Sequence, residues 1–232
     1  MDNKTTNFKQ NEKSNIKVGV RINKYLALKK ISTRRGADEL VKNKKVFING
    51  KLAVLGSQVN ENDIVEVKGA KVKEYLYFAY NKPIGIETSS PRADVFPLGR
   101  LDKASHGLMI LTNDGRITDQ LLNPKYFHEK EYVVRTSNKL RSSFKQKMEA
   151  GVNIEGYNTM PCKVQILSHF TFKIILTEGK KHQIRRMCSA LFQEIAGLKR
   201  ERIMNIKLGN LKPNGLREIR GEELAMFLKS LS

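Results

Sequence analysis

Residues that bind metals or form disulfides are scarce in this sequence. The 232-residue chain has two cysteines, Cys162 and Cys188, and four histidines. Two cysteines far apart are typical of a protein in a reducing compartment. The histidines show no metal-ligand spacing, and neither a Cys-x-x-Cys nor a His-Glu-x-x-His motif occurs. These absences predict no metal site, although a site assembled from distant residues would leave no such trace.

Phosphate-binding glycine motifs and long apolar runs are also missing. Without a Gly-x-x-x-x-Gly-Lys or a Gly-x-Gly-x-x-Gly motif, nothing indicates ATP or a dinucleotide, and we expect no cofactor. No apolar run approaches the length of a membrane-spanning helix, and no cationic leader with an apolar core opens the chain. We therefore expect a soluble, cytoplasmic protein that acts as a monomer and has no membrane partner.

Acidic residues are outnumbered by basic ones. The chain has 43 Lys and Arg against 23 Asp and Glu, a net charge of +20, and a pI of about 10.0. The surplus is spread along the chain: four against two in residues 1–20, eleven against five in residues 21–68, and 28 against 16 in the remainder. Such a distribution favours a polyanionic partner, because each neutralised phosphate releases counterions. Nucleic acid is the leading candidate, and a lysine-rich composition of the source organism is the plainer alternative.

The apolar pattern divides the chain into segments. Residues 1–19 are rich in Asn, Lys and Thr without an apolar period, which predicts a disordered basic tail. From Arg21 the pattern predicts two helices, with a cap at Ser32 or Thr33, and then a hairpin turn at Asn49-Gly50. Many short strands between few helices follow, which predicts a mixed, mostly antiparallel α+β domain. The predicted segments are the tail at 1–19, a small domain at 20–68, a linker at 69–74 and a larger domain at 75–232.

One stretch of the larger domain, Leu98 to Gly115, organises the rest. It sets Asp102 between Arg100 and Lys103 in a glycine-punctuated loop. The loop leads into an apolar run that predicts a buried strand. Reactive groups are often placed on such a loop, where a rigid element follows. Further elements are predicted as a helix at Leu140 to Ala150 and as strands at Ile203 to Leu208 and Leu216 to Arg220.

Two parts of the chain resemble known families. The stretch from Leu98 to Gly115 is similar to the catalytic motif of the RsuA/RluB/RluE/RluF family of pseudouridine synthases, in which one aspartate, here Asp102, is indispensable. Residues 20–68 resemble the S4 RNA-binding domain. Together the resemblances imply an α+β protein, in which a small N-terminal S4-like RNA-binding domain precedes a larger, mostly antiparallel mixed-sheet catalytic domain.

The resemblance also implies roles for individual residues. Asp102 is the implied nucleophile, Arg185 of a His-Gln-Ile-Arg motif is its ion-pair partner, and Tyr132 stacks on the flipped base or handles a proton. In isolation each has a plainer interpretation, as a loop cap, a solvated helix charge and an ordinary strand aromatic. Because the three motifs occur in the family's order, we favour the catalytic roles. The implied substrate-binding residues are Arg100, Lys82 of a Lys-Pro-x-Gly motif, Leu208 beneath the base, and Arg34 and Arg35 on RNA phosphates.

The implied reaction fits the missing cofactor motifs. Isomerising uridine to pseudouridine breaks the bond from ribose to N1 and makes one to C5 with no change in atoms, so it needs no redox cofactor or energy source. We therefore predict an RNA pseudouridine synthase that acts on 23S large-subunit ribosomal RNA, free or in an assembling particle. Residues Lys199 to Ile206 resemble the RluF branch, some members of which also act on tRNA.

Two rival hypotheses come from other functional classes. One is a noncatalytic RNA-binding or ribosome-assembly protein that retains a synthase-like fold. The other is a DNA-binding regulator, although the sequence has no recognisable helix-turn-helix with a dimer element.

Overall fold

The computed structural model describes residues 5–8, 19–29, 31–69 and 74–231, which fall into two units. The N-terminal unit comprises Met1–Tyr75 with Asn113–Arg116, and the C-terminal unit comprises Leu76–Thr112 and Ile117–Ser232. Much of the predicted tail and linker, at 1–4, 9–18 and 70–73, lies outside the described residues. No helix within the described ranges is long and apolar enough to cross a bilayer.

Two helices pack over short strands in the N-terminal unit. Helix α1 spans Ile22–Leu28 and helix α2 spans Arg34–Lys42. Thr33 caps α2, because its hydroxyl accepts a hydrogen bond from the Gly36 amide at 3.0 Å. Gly36 leaves room for Ser32, whose hydroxyl oxygen would lie 2.4 Å from a Cβ at this position. The buried apolar core consists of Ile22, Tyr25, Leu26, Ile31, Ala37, Val41, Val46, Ala53, Val59, Val65 and Val67.

The strands of this unit form two small sheets. They are β1 (Thr5–Phe8), β2 (Val20–Arg21), β3 (Val46–Ile48), β4 (Lys51–Leu52), β5 (Gln58–Val59) and β6 (Val65–Lys68). One sheet has the order β1-β6-β3-β4, and β2 pairs with β5. The structure differs here from the disorder predicted for residues 1–19, because β1 pairs with the outer edge of β6. The unpaired backbone groups of an edge strand are a ready template for such an addition.

A nine-stranded sheet dominates the C-terminal unit. Its order is β13-β14-β10-β15-β9-β7-β17, with β16 paired to β15 and β8 paired to β9. The pair β9 and β15 is parallel and its other pairs are antiparallel. The strands of this unit are β7 (Tyr77–Lys82), β8 (Phe96–Leu98), β9 (His106–Thr112), β10 (Lys130–Thr136), β11 (Asn153–Ile154), β12 (Tyr157–Asn158), β13 (Lys163–Ser168), β14 (Thr171–Leu176), β15 (Ile195–Ile203), β16 (Ile206–Lys207) and β17 (Leu216–Glu218).

Helices cover this sheet and bury its apolar side chains. They are α3 (Ile117–Leu122), α4 (Phe144–Glu149), α5 (Gln183–Ala190) and α6 (Gly221–Lys229). In the larger core cluster, Phe144 of α4 meets the ring of Phe172 on β14 edge to face, at 4.9 Å between centroids. Cys188 of α5 is fully buried in the same cluster, and burial raises the pKa of its thiol to about 12. Cys188 is therefore an inert core residue.

The long strand β15 was hidden in the sequence. The apolar pattern predicted a strand at Ile203 to Leu208, whereas β15 begins at Ile195 and ends at Ile203, and Met204 in a left-handed conformation turns the chain into β16. Four consecutive charged residues at 199–202 conceal the alternation. One of them, Arg200, takes a buried position that an apolar side chain would ordinarily occupy.

The helix predicted at Leu140 to Ala150 is shorter than expected, because α4 begins at Phe144. The Leu140 amide donates instead to the carbonyl of His169 at 2.8 Å, which ties this segment to the turn between β13 and β14. A tertiary hydrogen bond thus replaces the first helical turn that local spacing indicated.

Candidate active site

Asp102 lies on the loop between β8 and β9, called here the Asp102 loop (residues 99–105). The hydroxyl of Thr88 fastens this loop, since it donates to the Leu101 carbonyl at 2.7 Å and accepts from the Leu101 amide at 3.1 Å. The Ser105 amide donates to the Asp102 carbonyl at 3.1 Å, and the Gly85 amide donates to the Lys103 carbonyl at 2.8 Å. These bonds at both ends hold the backbone of Asp102 in a fixed position.

The side chain of Asp102 is paired with Arg185, which lies 83 residues further along on α5. Arg185 Nε donates to Asp102 Oδ2 at 3.0 Å, and Nη2 approaches Oδ1 at 3.4 Å. The same Nη2 donates to the hydroxyl oxygen of Ser105 at 3.0 Å. The Asp102 and Arg185 side chains are 20% and 26% exposed. The pair is therefore largely removed from water while part of the carboxylate stays accessible.

The surroundings keep Asp102 ionised. Burial by itself raises the pKa of the carboxyl group. Hydrogen bonds from Arg185 and Ser105, together with the nearby charges of Arg185 and His182, lower the pKa by more than burial raises it, so the pKa of Asp102 lies below the ordinary value. A carboxylate that is charged, positioned and partly desolvated is the form required of a nucleophile or of a group that stabilises a developing cation.

The start of α5 is anchored by a buried carboxylate that the sequence did not single out. Glu178 is 2% exposed and accepts a hydrogen bond from Gln183 Nε2 at 2.6 Å and another from the Met160 amide at 2.9 Å. His182, which lies between Glu178 and Gln183 in the chain, has a left-handed backbone with φ of +52°. This arrangement sets the direction in which α5 leaves the loop, and with it the position of Arg185.

Arg200 on β15, the strand that pairs in parallel with β9, also holds the Asp102 loop. It is 2% exposed, and its guanidinium donates to the Leu108 carbonyl at 2.7 Å and to the Gly99 carbonyl at 2.8 Å. These acceptors flank the loop at both ends. In the sequence Arg200 stands out only as part of the stretch from Lys199 to Ile206, because a surface charge and a buried positioning residue have the same sequence signal.

Lys82 is fully buried beside the same loop. Its ammonium donates to the carbonyls of Ile86 at 2.6 Å and Pro83 at 3.1 Å, so it closes the turn that follows β7. Burial lowers the pKa of Lys82, and the negative charge of Asp102 opposes this effect. The structure thus places Lys82 behind the turn, within electrostatic reach of Asp102.

The remaining predicted residues occupy different positions. Tyr132 on β10 is partly buried against two apolar clusters of the C-terminal unit, and it pairs across the sheet with Arg200, which itself pairs with Gly107 on β9. Leu208 is buried directly after β16, and Arg100 is exposed on the Asp102 loop. The sheet register thus sets Tyr132, Arg200 and Gly107 in one row across three strands.

Arg34 and Arg35 belong to the N-terminal unit. Both are exposed in the first turn of α2, at the positive end of the helix dipole. Across the residues that the structure describes, no group of three His, Cys, Asp or Glu side chains is placed to hold a metal ion.

The comparisons with known proteins follow the same division of the chain. Residues 76–190 match the family model described as RNA pseudouridylate synthase, and residues 20–65 match the S4 domain. The chain is 37% identical over 228 residues to the dual-specificity RNA pseudouridine synthase RluF of Escherichia coli, covering 90% of this chain and 79% of that protein. The chain belongs to the RNA pseudouridine synthase family.

Other relatives support the same family. The synthase is 33% identical over 229 residues to ribosomal large subunit pseudouridine synthase B of Bacillus subtilis, covering 88% of this chain and 93% of that one. A crystal structure of a pseudouridylate synthase superposes with a TM-score of 0.67 at 26% identity, over 92% of this chain and 100% of that chain. The predicted family, the enzyme class and the fold, an S4 domain before a mixed-sheet synthase domain, are confirmed.

Proposed function

We propose that Asp102 is the nucleophile of this pseudouridine synthase. The observation that carries the proposal is the pair of Asp102 and Arg185, in which a partly desolvated carboxylate is kept charged by a guanidinium at 3.0 Å. The carboxylate attacks the target nucleoside or stabilises the sugar cation while the bond from ribose C1′ to N1 breaks. The detached uracil then turns and bonds to C1′ through C5, which releases the carboxylate from any bond it has made. C5 loses its proton and N1 gains one, so the atoms of uridine and pseudouridine balance.

Other residues support this chemistry. Arg185 and Ser105 orient the carboxylate, because both are hydrogen-bonded at the site. Tyr132 stacks on the uracil or moves the C5 proton, and Leu208 provides an apolar wall beneath the base. Arg100, exposed on the Asp102 loop, holds the phosphate of the flipped nucleotide. Lys82 supports the substrate-binding site indirectly, because its hydrogen bonds to two carbonyls fix the turn that follows β7.

We infer that the substrate is ribosomal RNA of the large subunit. The relatives named for this activity include a large-subunit synthase and a dual-specificity synthase, and the net charge of +20 suits a polyanion. Arg34 and Arg35 on α2 supply phosphate contacts that position the RNA without reading its sequence. We expect the protein to work as a cytoplasmic monomer, with 23S RNA as the main target and tRNA as a second substrate to be tested.

The test is pseudouridine mapping after incubation with unmodified transcripts. Asp102→Asn preserves the shape of the side chain and removes its charge, and we expect it to form no product. Asp119→Asn is the matched control, because the Asp119 side chain on α3 is 68% exposed and should leave the rate unchanged. Product formed by Asp102→Asn at the wild-type rate would exclude Asp102 as the nucleophile. Wild-type product on tRNA alone, and none on 23S RNA, would exclude the proposed substrate.

A further inference from the structure

Phe192 is an exposed aromatic residue that the fold does not need. It follows the end of α5 with a left-handed backbone, φ +58°, a conformation that favours glycine. The residue is 74% exposed, so its ring contributes little to the apolar core. A left-handed residue directly after a helix end is a common cap, so the backbone alone assigns no role to Phe192. Its exposed ring is available to contact another molecule.

Phe192 lies on an open groove of about 460 Å³. This volume is within the roughly 300–1,000 Å³ of ligand clefts. Arg185 lines the same groove, so the groove continues to the side chain that holds Asp102. We call it the Phe192 groove, and its lining residues are Asn138, Arg185, Ser189, Phe192, Gln193, Glu194 and Ile195.

Two cationic or polar groups accompany the ring. The guanidinium of Arg141 lies 5.4 Å from the centroid of the Phe192 ring, within the range of a cation–π contact, and places a positive charge beside the ring. Gln193 is 4% exposed and donates from Nε2 to the Lys139 carbonyl at 3.5 Å. Its buried Oε1 has no hydrogen-bond partner among the described residues. An unpaired buried acceptor is unfavourable, and an N–H group of a ligand would satisfy it.

The composition of the groove favours a nucleobase over a phosphate. The carboxylate of Glu194 shares the groove with Arg185, which reduces its attraction for a phosphate group. A ring that is open to solvent stacks equally well on any base, provided that the base has left its helix. An acceptor such as Gln193 Oε1 matches the exocyclic amino group of adenine, cytosine or guanine, whereas uracil has no amino group and offers only its ring N3–H.

We propose that the Phe192 groove binds an unstacked, amino-bearing base of the RNA strand that flanks the target uridine. The base stacks on Phe192 and donates its amino group to Gln193. The assignment of this strand as the flanking strand rests on the proposed function, since it places the target uridine at Asp102, beyond Arg185. The stacking site itself stands on the groove, the ring and the unpaired acceptor.

The chain has no tryptophan, so Phe192→Trp introduces a unique fluorescent reporter at the site. We titrate this variant with single-stranded oligoadenylate and, separately, with a duplex RNA of the same length at fixed salt. Quenching of the indole by the single strand, and much less by the duplex, is the expected result. Phe127→Trp is the matched control, because Phe127 is 59% exposed with a φ of +55° and does not line the groove. Equal quenching at both positions, or none at position 192, would overturn the proposal.

A second measurement removes the ring. Phe192→Gly suits the left-handed backbone, so its melting temperature should not fall below that of wild type. Its affinity for the single strand should fall roughly 5- to 100-fold, as expected for the loss of one stacked base. On an RNA that wild type modifies, KM should rise by a similar factor while kcat changes little. Unchanged affinity of Phe192→Gly would refute the stacking site, whereas wild-type binding without any pseudouridine would refute the proposed function and leave the binding comparison intact.

Discussion

Replacing Arg185 with methionine tests whether the guanidinium keeps Asp102, the proposed nucleophile, charged. The substitution removes two hydrogen bonds to Asp102, of 3.0 and 3.4 Å, and retains much of the apolar stem. Burial, which raises the pKa of Asp102, would then act with less opposition. The pKa must therefore rise. Because the proposed mechanism requires Asp102 to be ionised, the acid limb of the pH profile should move to higher pH.

The size of the effect follows from the strength of such bonds. A hydrogen bond to a charged group contributes roughly 1.5–3 kcal/mol. The two side chains are 20% and 26% exposed, so solvent screening favours the lower value. A loss of about 1.5 kcal/mol corresponds to roughly a tenfold lower rate in the acidic range. The difference in rate that comes from the pKa should be smaller at neutral pH, where the carboxylate is ionised in both proteins.

The assay is single-turnover pseudouridine formation measured across the acidic and neutral range. Arg186→Met is the matched control, since Arg186 is the next residue of α5 but donates to the Ile154 carbonyl and to Glu155. We expect this control to keep the wild-type pH profile. If Arg185→Met kept the acid limb of wild type, the guanidinium would not be what holds the charge on Asp102, and the reasoning would be wrong.

Three further predictions concern the framework of the site. Gly107→Ala should lower the melting temperature more than Gly156→Ala. Both glycines have a positive φ, but only at position 107 would the new Cβ meet backbone atoms, 2.3 Å from the Arg200 carbonyl oxygen. Equal losses of melting temperature would contradict the steric argument. Burial, aided by Arg200, lowers the pKa of Lys130 from 10.5 to about 8, so the unfolded chain binds more protons between these values and stability rises with pH there. Lys130→Met should therefore raise the free energy of unfolding at pH 7, by on the order of 3 kcal/mol at most, and by less at pH 10. Equal gains in melting temperature at both pH values would contradict a charge effect. Ser105→Ala should shift the acid limb upward by less than the loss of the guanidinium does, in the same single-turnover assay, and an unshifted limb would contradict its hydrogen bond to Asp102.

Local sequence signals predicted the parts of the fold that local chemistry decides. The cap at Thr33 was among the two candidates named, because a hydroxyl before a helix satisfies a free amide wherever the helix packs. The buried strand at β9 was also predicted, because seven residues with so much apolar character have few alternatives. The resemblance of two distant motifs indicated that Asp102 and Arg185 belong together, which spacing along the chain could not do.

Tertiary partners decided what the sequence did not predict. Arg200 and Glu178 are charged residues in buried positions, and their acceptors and donors come from segments far away in the chain. Nothing local distinguishes them from solvated charges. For the same reason β15 was missed over most of its length, since a buried arginine occupies one of its inward positions. Ser105 had no predicted role, although its hydroxyl oxygen lies 3.0 Å from Arg185 Nη2.

The parallel contact between β9 and β15 has a consequence for how the enzyme fails. Only two residue pairs are in register there, Lys199 with His106 and Arg200 with Gly107, whereas β7 and β9 share six. Asp102 enters from the β9 side of this seam, and the helix that bears Arg185 leads into β15. Moderate heating should therefore separate Asp102 from Arg185 and abolish the activity while most of the secondary structure is still intact.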